Sequence, residues 1–154
     1  KGKDDPFISF RSRDHRIVGT WKLVKGKVTY KDYLSTQYIN YGETEETISG
    51  DTIYNTNMTV PYTFSIHINK DGSTEYDYLN SNTKDVWHWN NGVKNKSGLY
   101  LPLTTFIPWN CNYNFSIDRL TNKEMKLSYK SVETVTVNNV RTTGSEIELE
   151  FKKQ

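Results

Sequence analysis

Apolar and polar residues alternate along several segments of the chain, as they do in β-strands that bury one face. Between residues 62 and 68 every second residue is large and apolar, and the turn-forming sequence Asn69-Lys70-Asp71-Gly72 follows. The alternation resumes beyond this turn. The pattern predicts a β-hairpin over residues 61–79, whose inward positions are Tyr62, Phe64, Ile66, Ile68, Tyr76 and Tyr78.

Further strand signals lie in the C-terminal half. Residues 113–129 alternate on both sides of a turn at 120–123, and residues 146–151 alternate Glu with apolar side chains. No segment shows the 3.6-residue period of a long helix. The sequence therefore predicts an all-β domain of about eight antiparallel strands joined mostly by hairpins. An up-and-down barrel would remove the exposed sheet edges, and a two-sheet sandwich is the alternative that periodicity does not exclude.

The other segments give weaker patterns. Residues 17–30 indicate a first strand, and residues 12–15 favour one helical turn. Residues 31–42 fit either a loop over the barrel mouth or an extension of the next strand. Prolines within residues 93–110 exclude a central strand through that whole span, so we expect a short strand followed by a packed apolar loop.

Composition supports one β-rich domain. The chain has 154 residues, which is enough to bury a core in a single domain. Only 34% of the residues are hydrophobic, but eleven Tyr and four Trp add large, partly apolar surfaces. This mixture suits strands with one apolar face. The net charge of +2 gives no electrostatic reason to expect nucleic acid as a partner.

Residue types that carry catalysis or bind metals are scattered along the chain. The three His residues lie on separate predicted elements and lack the spacing of a zinc site, so we expect His15 and His67 at the surface. Cys111 is the single cysteine, and no neighbouring His would activate it. No phosphate-binding glycine loop or nucleophile elbow occurs. We therefore expect no enzymatic activity, no metal and no cofactor.

A glycine stands two residues before a tryptophan in the segment from Ile17 to Leu23. Gly19-Thr20-Trp21 resembles the Gly-x-Trp signature of the lipocalin and calycin barrels. With its charged leader, the segment resembles the lipocalin-like domains of envelope lipoproteins in gut Bacteroidetes. The stretch 120–129 and the final strand ending in Phe151 fit the same resemblance, which spans residues 16–152. It implies a calycin-type barrel and no catalytic residues, and we expect Trp21 inside the barrel near one end.

The first residues carry no fold signal. We predict a flexible leader over residues 1–14 and a barrel domain over residues 15–154. In the lipoproteins that the chain resembles, such a leader follows a lipidated cysteine. The resemblance implies a signal peptide ending in Cys upstream of Lys1 and a location in the periplasm or at the outer membrane, with membrane contact only through the lipid anchor. An ordinary frayed terminus is the alternative. We expect a monomer. Asp51-Thr52-Ile53 resembles the O-glycosylation pattern of the same bacterial group, which would modify Thr52.

The density of aromatic residues is the remaining functional signal. The rings either line an interior that binds a small apolar or amphipathic molecule, or fill a barrel of this size completely. A filled barrel would be a structural module that presents loops to an envelope protein or a glycan, and Tyr33, Tyr38 and Tyr41 would be candidates for stacking on sugars. The candidate interior residues are Trp21, Tyr62, Phe64, Ile66, Tyr76, Tyr78, Trp87, Trp89, Phe115 and Tyr129.

Overall fold

A computed structural model describes residues 12–34, 42–49, 52–54, 59–61, 64–78, 81–90, 96–103, 114–137 and 139–154. In these ranges the chain is all-β apart from the short helix α1 (Arg13–Ile17), which Ser12 caps. The strands are β1 (Gly19–Leu34), β2 (Gly42–Ser49), β3 (Thr52–Tyr54), β4 (Thr59–Pro61), β5 (Phe64–Ile68), β6 (Ser73–Tyr78), β7 (Ser81–Val86), β8 (His88–Trp89), β9 (Gly98–Tyr100), β10 (Asn114–Leu120), β11 (Glu124–Val137) and β12 (Asn139–Lys153).

Nine of the described strands form a nearly closed antiparallel barrel. From β1 the barrel runs through β5, β6 and β7 in one direction, and through β12, β11, β10, β9 and β8 in the other. Trp87 alone separates β7 from β8 along the chain, so the two arms of the sheet meet at this residue. The predicted up-and-down barrel is confirmed, with nine strands in place of about eight.

β1 belongs to the barrel and to an extension of the sheet beyond it. Residues Gly19–Lys22 pair with β5, whereas Lys25–Asp32 pair with β2. The pairing of β1 with β12 shifts between Leu23 and Lys25, at the boundary between these two halves. The extension contains the distal parts of β1, β11 and β12 together with β2, β3 and β4, in the order β4-β3-β2-β1-β12-β11.

Several boundaries differ from those predicted. β1 continues to Leu34, beyond the predicted 17–30, and β12 begins at Asn139 although clear alternation begins only at Glu146. Residues 31–34 therefore extend the first strand, and residues 35–41 lie outside the described part of the chain. Arg13 and Asp14 belong to α1, which begins within the helical turn predicted over residues 12–15 and continues to Ile17. β7 was not predicted, because Ser81–Asp85 contains no apolar side chain to show an alternation.

The inward positions of the barrel form one apolar core. On β5, Phe64, Ile66 and Ile68 have no exposed surface, and the residues between them are half-buried or exposed, as the alternation predicts. Removal of this apolar surface from water is the main contribution to the stability of the barrel. The core residues are Ile17, Trp21, Leu23, Phe64, Ile66, Ile68, Tyr76, Trp87, Leu99, Leu101, Leu103, Phe115, Ile117, Leu120, Met125, Leu127, Tyr129, Ile147, Leu149 and Phe151.

Candidate functional site

Trp21 and Lys153 close one end of the barrel together with α1. Trp21 is fully buried, as expected, and its indole N–H donates a hydrogen bond to the Ile17 carbonyl at 2.7 Å. Lys153 lies opposite Trp21 in the register, with its Nζ 4.9 Å from the centroid of the ring. The same ammonium donates to the carbonyls of Arg16, at 3.0 Å, and Val18. This closed end is thus sealed by an aromatic ring and by a cation bonded to the backbone.

Steric constraints explain why a glycine stands two residues before Trp21. Gly19 has a φ of +132°, which an L-residue with a side chain rarely adopts. A Cβ atom at this position would lie 2.5 Å from Cε of Lys153. The Gly-x-Trp spacing therefore allows the Lys153 side chain to cross the start of β1 and reach the ring of Trp21.

A second set of contacts fixes α1 to the strands beside it. The Asp14 carboxylate pairs with Lys96 and accepts a hydrogen bond from the Trp89 indole N–H at 2.8 Å. Nζ of Lys96 lies 5.7 Å from the centroid of the Trp89 ring, and Arg13 donates to the Lys96 carbonyl. The hydrogen bond from Lys96 lowers the pKa of Asp14 below its ordinary value. We call Asp14, Trp89 and Lys96 the helix latch.

The predicted interior residues largely meet in the core. Phe64 stacks on Tyr76 with centroids 6.1 Å apart, Phe115 meets Tyr129 edge-on at 6.0 Å, and Trp87 meets Trp89 edge-on at 5.5 Å. Of the ten candidates, seven are buried and Trp89 is half-buried against the core: the buried ones are Trp21, Phe64, Ile66, Tyr76, Trp87, Phe115 and Tyr129.

The remaining candidates lie outside the described part of the structure, either wholly or in their side chains. Tyr62, Tyr38, Tyr41 and Cys111 lie outside the described residues. Tyr78, Tyr33 and Thr52 lie on described strands, but their side chains are outside the described part of the structure.

Most of the described core is closely packed. A side chain that borders a cavity wide enough for water keeps some accessible surface on that side. Trp21 and Phe64 are 0% exposed and Phe115 is 1% exposed, so no such cavity borders these rings. Trp87 and Tyr129 keep somewhat more surface, 9% and 8%. Any room for a ligand therefore lies away from the rings of Trp21, Phe64 and Phe115.

The inner face becomes polar where β6 meets β7. Thr74 and Tyr76 of β6 are buried, and the residues directly opposite them on β7 are Asp85 and Thr83. Directly opposite residues of an antiparallel pair lie on the same face of the sheet, so all four side chains belong to the inner face. Asp85 and Thr83 are nevertheless only half-buried. The wall is therefore partly open to solvent along β7, and we call Thr74, Tyr76, Thr83 and Asp85 the β7 seam.

The seam holds two buried hydroxyls, those of Thr74 and Tyr76. The Thr74 hydroxyl donates to the Tyr76 hydroxyl at 3.2 Å. In the described part of the chain, no acceptor receives the proton of the Tyr76 hydroxyl itself. Burial raises the pKa of Tyr76 well above its ordinary value, and the nearby Asp85 carboxylate and Tyr100 raise it further. The hydroxyl thus stays neutral and keeps a proton to donate.

The sequence indicated only part of this seam. Tyr76 was predicted from the alternation beyond the turn at 69–72, and the same alternation places Thr74 on its face. Thr83 and Asp85 were missed, because a strand whose one apolar side chain is the exposed Val86 at its end shows no alternation until its register with β6 is known.

Histidines and acidic residues of the described strands lie mainly outside the barrel. His67 is exposed and its Nδ1 is 2.7 Å from the Thr20 hydroxyl, and the exposed His88 ring stacks on Tyr100 with centroids 4.6 Å apart. Among the described residues, no group of three or more His, Cys, Asp or Glu side chains is placed to bind a metal ion. No helix in the described ranges is both long and apolar enough to span a membrane.

Comparison with known proteins gave no assignment: no family model matches the chain, and no curated protein or solved structure shows significant similarity to it. The side chains described above are therefore the basis on which a function can be inferred.

Proposed function

We propose that the chain is a non-enzymatic domain of the cell envelope that binds one small apolar or amphipathic molecule in its barrel. The observation that carries this proposal is the β7 seam, where an otherwise apolar, aromatic inner face holds a buried hydroxyl with a proton to donate. Small-molecule sites have this composition, a mainly apolar lining with a few polar groups that orient the ligand. Affinity would come from transfer of apolar surface out of water, at roughly 25 cal/mol per Å².

The ligand would enter away from the closed end. Trp21, Lys153 and α1 seal that end, and the turns at 69–72 and 121–123 lie beside it. Tyr76 lies opposite Thr83 of β7, and Trp87 directly follows that strand. We expect the rings of Tyr76 and Trp87 to contact the ligand, with the half-buried wall at β7 or the opposite end of the barrel as the route of entry.

The proposed location follows the resemblance to lipocalin-like envelope lipoproteins. The contacts of Gly19, Trp21 and Lys153 support that resemblance, because they give the Gly-x-Trp spacing a physical role at the closed end of a barrel. We place the domain in the periplasm or at the outer membrane, with a lipid anchor joined through the leader. Reading the gene upstream of Lys1 tests this placement, and a start codon directly before Lys1 would contradict it.

A filled barrel is the second candidate, and the packing favours it. The rings of Trp21, Phe64 and Phe115 have almost no exposed surface, and the aromatic pairs contact each other directly. In that case the barrel would be a structural or interaction module that presents its surface to an envelope protein or a glycan.

Intrinsic tryptophan fluorescence distinguishes these two functions. Trp87 and Trp89 are in contact with each other in the wall, so a ligand in the barrel should quench or shift their emission. Titration with fatty acids, fatty alcohols, retinoids, haem and bile acids should give a saturable change with at least one of them, together with a higher unfolding temperature. A Trp87→Phe variant identifies the reporting ring. No change with any compound would leave the filled barrel.

A further inference from the structure

We propose that the barrel selects neutral ligands carrying a hydrogen-bond acceptor over carboxylate anions of the same chain length, and that the Tyr76 hydroxyl binds the acceptor. The chemical class is a long-chain alcohol, ester or ketone. This inference rests on the proposed ligand-binding function and adds to it the chemistry of the head group.

The first step is the state of the Tyr76 hydroxyl. Its ring is held by the stack on Phe64, and the residue is 3% exposed, so the hydroxyl is fixed within the wall. Thr74, which is fully buried, occupies one side of the hydroxyl as a donor. A buried donor that lacks an acceptor is unfavourable. A ligand oxygen that accepts this proton would therefore bind more tightly than a methyl group in the same place.

The second step is the charge around that hydroxyl. Among the described inner-face side chains of β5, β6 and β7, the ionisable groups are Tyr76 and Asp85, and neither is cationic. The cations described at the closed end are already bonded to backbone carbonyls: Lys153 donates to Arg16 and Val18. The buried Arg16 and Arg13 side chains donate to the carbonyls of Leu120 and Lys96. A carboxylate placed at Tyr76 would lose its hydration, and it would also lie near the like charge of Asp85 with no cation to compensate. A neutral acceptor avoids both effects.

The probes are 1-decanol and decanoate at pH 8, where decanoate is fully ionised. Binding is measured by displacement of a fluorescent apolar dye from the whole chain. We expect 1-decanol to bind about tenfold more tightly than decanoate, and Tyr76→Phe to weaken 1-decanol binding about five- to tenfold, as loss of one hydrogen bond predicts. Tyr129→Phe is the matched control, because it removes a hydroxyl from another buried ring.

The effect of the Asp85 charge on ligand selection is tested separately. Asp85→Asn should raise the affinity for decanoate and bring the two probes closer together, whereas Asp77→Asn, which removes the same charge at an exposed position, should leave their ratio unchanged.

The outcomes separate this inference from the proposed function. Decanoate binding as tightly as 1-decanol would overturn the selectivity while ligand binding itself stood. Equal losses in Tyr76→Phe and Tyr129→Phe, or no loss in Tyr76→Phe, would overturn the role of Tyr76. Binding of neither probe, nor of the dye, would contradict the ligand-binding function as well.

Discussion

At the scale of single residues, Gly19 and Lys153 explain why Trp21 can close the barrel. The glycine combines a positive φ with a close approach to Lys153, and the lysine then covers the ring and bonds to two backbone carbonyls. The sequence could predict that Trp21 is buried, from alternation and from its resemblance to known barrels. It could not identify Lys153 as the partner, because Lys at the end of a strand is ordinarily solvated.

Trp21→Ala should lower the free energy of unfolding by about 3–5 kcal/mol, since it deletes a fully buried ring and leaves a cavity. Chemical denaturation measures this change. Val86→Ala is the control, because Val86 is 57% exposed and its truncation should change stability by less than about 0.5 kcal/mol. An equal effect of both substitutions would mean that Trp21 is not in the core.

Gly19→Ala should destabilise the protein for two reasons that can be separated. The new Cβ meets the Lys153 side chain, and the backbone is held at a φ that alanine disfavours. In a Lys153→Ala background the steric part disappears, so the same substitution should cost less, with about 1 kcal/mol or more remaining from the backbone. Equal costs in both backgrounds, measured by denaturation as a double-mutant cycle, would argue against the close approach.

At the scale of elements, alternation predicted the inward faces well and the lengths of strands poorly. Residues 64–68 and 146–151 alternate because one face is apolar, and both segments are strands with the expected faces buried. The distal parts of β1 and β12 are longer than predicted, since their pairing with each other and with β11 along the extension does not depend on an apolar period. β7 was not predicted because it shows no apolar alternation. Only its register with β6 assigns Thr83 and Asp85 to the seam.

The helix latch predicts a pH dependence of stability. Lys96 holds the pKa of Asp14 below its ordinary value, so the folded state binds this proton less readily than the unfolded state. The contribution of Asp14 is therefore fully present above a pH of about 4, near the ordinary aspartate pKa, and is lost as pH falls further. The stability difference between the wild-type chain and Asp14→Asn should shrink below this pH. A pH-independent difference would contradict the latch.

Ion pairs on the outer face should contribute little by comparison. Lys126 and Glu150 lie opposite each other on β11 and β12, with Nζ 3.3 Å from Oε2, but both side chains are partly exposed. Glu150→Gln should change the free energy of unfolding by less than about 1 kcal/mol, and raising the salt concentration should reduce the difference further. A larger loss in thermal denaturation would show that this pair is coupled to the core beneath it.

At the scale of the whole molecule, the strand pairing around the barrel is uneven. We call the side with long pairing the strong side and the side with short pairing the weak side. β11 and β12 share fourteen register pairs, which run from the barrel into the extension, whereas β8 and β9 share two. Sequence alone could not show this asymmetry, because it depends on where β7 ends and β8 begins around Trp87. β7, which forms part of the seam, is followed directly by Trp87 and β8, so the wall that would admit a ligand lies next to the shortest pairing.

Amide hydrogen exchange should report the same asymmetry. Amides of β8 and β9 should exchange faster than those of β11 and β12 within the barrel, because short ladders open locally at a lower free energy. The comparison is internal to one sample, so solvent and temperature affect both sides alike. Uniform protection around the barrel would indicate that it opens only by global unfolding.

The long pairing of β1 with β12 has a consequence for mechanical load. Thirteen register pairs connect these two strands from the closed end into the extension. A force between the closed end and the tip of the extension would act along the strands, so that all the hydrogen bonds, which run across the strands, carry the load together. A force that peels one strand away would break the pairs in succession. The direction of pull should therefore decide how strongly this domain resists extension.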